Sequence, residues 1–577
     1  MFHLGIDLGT TNCGLAYAPA EGDGPVELLA VPQLASAGEI HAEPLLESAL
    51  YLSRSGEFAA GALDLPWTKN RDYIVGRFAA RRGAETLGRL VTSAKSWLCF
   101  TAAERTAPIL PVNAPEGAPR VSPVEASQRY LEHLREAWDE THPEDPFEDQ
   151  KVVLTVPASF DAVARELTQK AAQLAGYKNL ILLEEPQAAF YAWIERHEDW
   201  RERVAPGDLV LVADIGGGTT DFTLIEVLGS AGALELKRAA VGEHLLLGGD
   251  NMDLALAHTV AAQMPKLDAT QFQALWQQAR LAKERLLSDE SLKEAAVTVL
   301  GRGSSLIGGT LKGKLTRAAV KTLLVDGFFP KVASDDLPAH RTRTGVAEIG
   351  LPYEPDPAIT RHLAAFLRQR GELARPTHVL FNGGVFRAAH LRARVMEVLN
   401  SWLGEVRPLE GDDLMHAVAR GAAYYGRARA GRGIRIRGGI ARTYYIGIES
   451  ASPAVPGMPA PMKALSVAAF GTEEGTDIRV PSGEFHLVVG EAAEFRFFAS
   501  ASRREDEPGT LIEMIGAELE ELAPIRVTLP AEGETARVVR VTFETVVTET
   551  GMLELWCVAK DGRRWKLEFQ VREKMRK

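Results

Sequence analysis

The chain opens on an apolar run, Phe2 to Ile6, that reads as a short buried strand and passes directly into Asp7-Leu8-Gly9-Thr10-Thr11-Asn12. Far downstream the same order returns. Leu209 to Ala213 is apolar and leads into Asp214-Ile215-Gly216-Gly217-Gly218-Thr219-Thr220-Asp221, after which Phe222 to Val227 is apolar again. Each passage is a strand, an aspartate, a glycine-rich turn with hydroxyls and a second strand. Ser122-Pro123-Val124-Glu125 joins a capping serine to a proline at the first helical position, and predicts an amphipathic helix to about Trp138. Asp161 precedes another helix that Gly176 can end, and Glu185-Pro186 reads as a strand-to-helix turn. Strands alternating with helices around a duplicated turn predict an α/β architecture of two lobes with a cleft. From residue 443 the period becomes two. Lys566 to Val571 alternates after an Asp561-Gly562 turn, and Val541 to Val547 and Met552 to Val558 flank Thr550-Gly551 as a second hairpin, so a compact β-sandwich is expected over 443–577.

Composition narrows the function. The 577 residues, 46% hydrophobic and 25% charged, suffice for several cores. A net charge of -12 argues against a nucleic-acid surface, which needs clustered cations. Cys13, Cys99 and Cys557 lie far apart with no CxxC spacing, so neither a thiolate zinc site nor a disulfide framework is suggested, and a reducing cytoplasm fits best. Asp7 interrupts the first apolar run, which speaks against a signal peptide, and no apolar stretch reaches the roughly 18 residues that span a bilayer, so no membrane association is expected. One basic stretch stands out. Six arginines (427, 429, 432, 435, 437, 442) interleave with glycine and apolar residues, with no acid, and mark 427–442 as an Arg/Gly-rich linker.

Glycine lets backbone N–H groups approach a phosphate, and a preceding carboxylate can hold Mg²⁺ through water. One such turn alone is equally a tight hairpin; two of the same plan suit a polyphosphate gripped from opposite sides. No GxxxxGK[ST] is present and no GxGxxG follows an early strand, which disfavours P-loop and Rossmann readings.

These residues resemble the DnaK-type seventy-kilodalton heat-shock chaperones. The likeness extends to Lys151-Val152-Val153-Leu154-Thr155-Val156-Pro157-Ala158-Ser159-Phe160, Leu183-Glu184-Glu185-Pro186-Gln187-Ala188-Ala189, His378-Val379-Leu380-Phe381-Asn382-Gly383-Gly384-Val385-Phe386-Arg387 and Ala417-Val418-Ala419-Arg420-Gly421-Ala422-Ala423, and covers about residues 1–426. It implies an actin-like ATPase fold of duplicated ribonuclease-H-like lobes over 1–426, with the sandwich as a substrate-binding-like domain. It implies slow ATP hydrolysis coupled to binding of non-native or extended polypeptide, with co-chaperones as candidate partners. ATP or ADP, Mg²⁺ and potentially K⁺ are the implied cofactors. By resemblance, Asp7 and Asp214 are the metal residues acting through water. Lys95 is directed at the γ-phosphate, Glu185 orients water and Asp221 completes the acidic set. Gly9, Thr10, Thr11 and Asn12, then Gly216, Gly217, Gly218 and Thr219, then Gly248, Gly249, Lys283, Gly383, Gly384 and Arg387 are the implied nucleotide contacts, and Pro157 and Arg165 the interdomain relay.

The chain also departs from the family. Arg280 stands where an acid is usual, Glu284 replaces a residue that packs on adenine, and the linker reverses the family's charge, so it is as readily a basic tether or an exposed strand as a signalling element. The family's helical lid has no counterpart, so a bound peptide should exchange quickly. A nucleotide-dependent scaffold with little hydrolysis is the alternative. Segments 101–121 and 327–357 match the family poorly.

Overall fold

The computed structural model describes residues 1–567 apart from 23, 87, 101–102, 231–232, 302–309, 340–350, 352, 370–371, 412, 430–435, 438–439, 441, 452–460, 473–475, 514, 517, 523, 531–536 and 549–552. Among these residues the two glycine turns close two hairpins of one plan. Phe2–Leu8 pairs antiparallel with Asn12–Pro19 and, on its other side, parallel with Lys151–Val156, which pairs parallel with Leu180–Glu184. This is the sheet of lobe I. In lobe II, Leu209–Ile215 pairs antiparallel with Thr220–Ser230 and parallel with His378–Asn382, which pairs parallel with Arg407–Leu409. Both sheets are mixed and six-stranded.

Capping chemistry sets the helices where the sequence places them. Ser122 Oγ accepts from Glu125 N at 3.0 Å and starts Pro123–Thr141, one turn longer than the apolar pattern suggests. Asp161 Oδ1 accepts from Ala164 N at 2.7 Å and starts Ala162–Leu174, with Gly176 just beyond its end. Helices Glu185–Arg196 and Ala417–Arg429 bridge the lobes: Ala188, Tyr191, Ala422 and Tyr425 share one core with Val153 and Leu183 of lobe I and Val210 and Val212 of lobe II. The cleft opens above this bridge.

Beyond the bridge the chain is strand-rich. Thr443–Glu449 lies between Met462–Ala468 and Phe497–Ser500, while Arg537–Val547 pairs with Leu553–Ala559, which pairs with Arg564–Leu567. Leu553–Ala559 alternates strictly between buried and half-buried positions, as the period of two predicts. Its turn at Thr550-Gly551 and the residues after Leu567 lie outside the described set. Tyr444, Ile446 and Leu465 of one sheet and Val541, Phe543 and Leu555 of the other belong to a core continuous with that of lobe I. Arg504 Nη1 donates to Ala239 O of lobe II at 2.8 Å. The arginine-rich stretch is in part an element: Ile436–Arg437 adds as a parallel edge strand beside Leu236 and Lys237, and Ile440 is buried in the shared core. Ile434, in the same stretch, falls outside the described residues.

Candidate functional site

The two hairpins bring their turns face to face. A Cβ on Gly218 would lie 2.7 Å from Thr10 Cγ2, and one on Gly217 would run into the Thr11 side chain, so any larger residue would force the turns apart. Ser48 Oγ braces the first turn by donating to Gly9 O at 2.7 Å. The second is braced by Gly249 N and Asp250 N, which donate to Gly216 O and Gly217 O at 3.1 and 2.7 Å. Gly383, at φ 87°, follows the His378–Asn382 strand and presses on the Ile215 carbonyl, a position that a side chain would fill.

Between the turns lies a cavity of about 680 Å³. It is lined by Asp7, Gly9, Thr10, Thr11 and Asn12 from lobe I and by Asp214, Gly216, Gly217, Thr219 and Asp221 from lobe II. Lys95 and Glu185 reach it, as do Gly249, Lys283, Gly383, Gly384 and Arg387. Gly218 and Gly248 stand behind the wall, Gly218 against Thr10 and Gly248 against the carbonyls of Gly216 and Gly217. Pro157 and Arg165 lie outside it.

Charge is concentrated at the turns. Lys95 Nζ donates to Glu185 Oε1, and Lys95, Glu185 and Asp221 are only 6%, 9% and 8% exposed. Ser93, before the short Ala94–Cys99 helix that carries Lys95, holds a left-handed φ of 55°, a conformation that non-glycine residues keep mainly where neighbours enforce it. Burial pushes the Asp7 carboxyl up to about 7, with the Glu185 charge adding to it. The same two causes, burial first, push Asp214 up to about 8 although Asn382 Nδ2 donates to its Oδ2 at 2.8 Å. Burial alone would lower the Lys95 ammonium, but the carboxylates of Glu185 and Asp7 outweigh it and raise its pKa. Four enclosed carboxyls around one ammonium are an oxygen donor set short of positive charge, which suits a hard divalent cation.

Away from the turns, the wall passes along the Ala269–Ser288 helix. Lys283 Nζ pairs with Asp253 Oδ1 at 2.6 Å, and Arg280 with Glu284 at 3.2 Å.

A family model described as Hsp70 protein matches residues 85–334. A chaperone protein HscA homolog of Bordetella pertussis is 32% identical over 335 residues, 56% of this chain and 46% of that protein. Its namesake in Ralstonia nicotianae is 30% identical over 310 residues, 53% of this chain and 44% of that protein, and the one in Acinetobacter baylyi 35% over 175 residues, 30% and 27%. Over these residues the chain is Hsp70-like. It spans less than half the length of these curated relatives. With the Hsp70 family comes the actin-like ATPase fold, to which the duplicated mixed sheets correspond.

Several polar residues in and around this cleft carry little local signature in the sequence. Asp250 follows Gly248-Gly249 and Asn382 precedes Gly383, so adjacency to the glycines was the available signal. Glu184, next to Glu185, accepts from Arg165 Nη2 at 2.7 Å and pairs with Arg238, joining a lobe I helix to a lobe II strand. Arg105, in the poorly matching 101–121 segment, is buried where it donates to Leu98 O at 3.0 Å, with Asp161 3.7 Å away. Among the described residues no cluster of His, Cys, Asp and Glu has the geometry of a direct metal site, and no helix is long and apolar enough to cross a membrane.

Proposed function

We propose that this chain binds and slowly hydrolyses Mg-ATP in the cleft over residues 1–426, and couples nucleotide state through 427–442 to binding of extended or non-native polypeptide by a β-sandwich over 443–577. The observation that carries the first half is the pair of aspartate-glycine turns facing each other across one cavity that the Lys95–Glu185 ion pair also lines. Bound Mg²⁺ supplies charge compensation on the β and γ phosphates. The chain's own residues do the rest. Asp7 and Asp214 hold the cation through water, and K⁺ is a candidate second ion. Thr10, Thr11, Asn12, Thr219 and the turn amides donate to phosphate oxygens, Lys95 faces the γ-phosphate, and Glu185 orients the attacking water beside Asp221. Lys283 contacts the ribose, and Arg387 stacks its guanidinium on the base. Gly248, Gly249, Gly383 and Gly384 keep the backbone close.

Coupling has a material route. Pro157 opens the turn that leads to Asp161 and Arg165, and Arg165 holds Glu184, the neighbour of Glu185. The HscA homologs are named chaperones, which supports polypeptide clients and co-chaperones as partners, and a cytoplasmic setting is consistent with three free cysteines. The test is ATP turnover of the full chain with and without a denatured client peptide, beside ATP affinity. Turnover that the peptide changes supports the reading. Tight nucleotide binding with no turnover makes the chain a nucleotide-dependent scaffold instead, and no nucleotide binding at all removes both.

A further inference from the structure

At the edge of the cavity, beside the glycine turns, three polar side chains from opposite lobes converge, Asp221 buried and Ser159 and His244 half-buried. Ser159 comes from lobe I, in the turn between the Lys151–Val156 strand and the Ala162–Leu174 helix. Asp221 begins the second strand of the lobe II hairpin, and His244 follows the Ala233–Val241 strand of the same lobe. Ser159 Oγ donates to Asp221 Oδ1 at 2.6 Å. His244 Nδ1 lies 3.2 Å from both that oxygen and Ser159 Oγ. A carboxylate only accepts, so the proton on the imidazole sits on Nδ1 and is shared between the two oxygens. This leaves His244 Nε2, which is buried and has no partner among the described residues.

The same turn reaches the proposed catalytic lysine. Phe160, next to Ser159, presents its ring edge-on to His244 with centroids 5.7 Å apart, and the Lys95 ammonium stands 6.0 Å from that ring. The Lys95 charge also acts on Asp221, whose carboxyl stays below its ordinary value: burial opposes this, and His244, Ser159 and Lys95 outweigh burial. Lys95 therefore has two routes to His244, through a ring and through a carboxylate.

We infer that Ser159, Asp221 and His244 form a cross-lobe latch beside the phosphate turns, and that His244 is a positioning residue for Lys95. A hydrogen bond from lobe I to a lobe II carboxylate can form only when the lobes stand at this angle, and the imidazole fixes which lone pairs of that carboxylate remain for the cavity. The latch stands independently of the proposed hydrolysis. Its link to Lys95 rests on that reading.

Two measurements on the full chain separate these parts. In nucleotide-free protein, hydrogen exchange should show each substitution loosening the opposite lobe: Ser159→Ala should speed exchange of the Thr220 and Leu245 amides, and His244→Ala that of Phe160, by about tenfold. Changes confined to the substituted lobe would overturn the latch. In single-turnover experiments His244→Ala should slow hydrolysis about tenfold while ATP affinity stays within about threefold, and His244→Asn, which keeps an N–H near the Nδ1 position, should recover most of the rate. A His244→Ala rate equal to that of the parent would remove the link to Lys95. A parent chain without turnover would fail the proposed function, and the exchange result would still decide the latch.

Discussion

Asp7 faces Gly14 across the lobe I hairpin, whereas Asp214, at the matching place in lobe II, faces Asp221. The two hairpins otherwise share strand order, the parallel strand beside the first strand, and a glycine turn directed at the cavity. The difference lies in what surrounds each aspartate. Lobe I adds the Lys95–Glu185 pair and a hydroxyl, Thr155 Oγ1, 3.4 Å from Asp7 Oδ1, while lobe II adds a second carboxylate and the Asn382 amide. Duplication supplied symmetric scaffolding for the two turns. Unequal decoration of the copies put the ammonium on one side and the extra acid on the other, and that asymmetry would give the proposed reaction its direction.

Removing the lobe I decoration should have the largest effect. Lys95→Ala is expected to lower single-turnover hydrolysis by about 10²- to 10³-fold with ATP affinity little changed, a kcat effect without a matching KM effect. A rate like the parent's would show that the two lobes do not differ as described. Next come the paired aspartates: Asp7→Asn and Asp214→Asn should each weaken Mg²⁺-dependent nucleotide binding by about 10- to 100-fold, as expected for groups that act on a metal through its shell. Calorimetry with and without Mg²⁺ measures this, and a loss in only one variant would assign the cation to one hairpin.

The pH response is smaller and signed. Both carboxyls are raised by burial from an ordinary value near 3.8, so the metal-free fold favours their protonated forms. Stability from this source is complete below about pH 4 and is lost as pH rises through about 7 and about 8. The melting temperature of the metal-free chain should therefore fall between pH 6 and pH 8.5, roughly a window around those values. Added Mg²⁺-nucleotide should restore more at the upper end, and Asp214→Asn should flatten the slope. The mildest change is Gly14→Ala, whose Cβ would meet Leu45 Cδ2 at 3.4 Å, ordinary contact, so less than about 1 kcal/mol of stability should be lost in denaturant titration.

What could be read in advance was local. Asp7 to Asn12 and Asp214 to Asp221 announce two hairpin turns of one plan because glycine, hydroxyl and carboxylate lie within a few residues of one another. Ser122 and Asp161 announce helices because a cap bonds an amide three residues on. Contacts that close through space leave no such trace. Nothing near Ser159 names Asp221, and nothing near Glu184 names Arg238, since each pair meets only after two sheets have folded and been set against each other. Arg105 and Asp161 belong with them. The arginine-rich stretch fell between these cases: composition marked a linker, while its pairing with Leu236 and Lys237 depends on an open sheet edge elsewhere in the chain.

That pairing has a consequence for how such a connection can evolve. An edge strand is recognised through amides and carbonyls, which every residue except proline offers alike. The Ile436–Arg437 join thus places little demand on the chemistry of its side chains, and the sign of the charge along the stretch is free to drift while the mechanical splice to the lobe II sheet persists. A stretch rich in arginine can in this way keep its place, its address being written in the main chain.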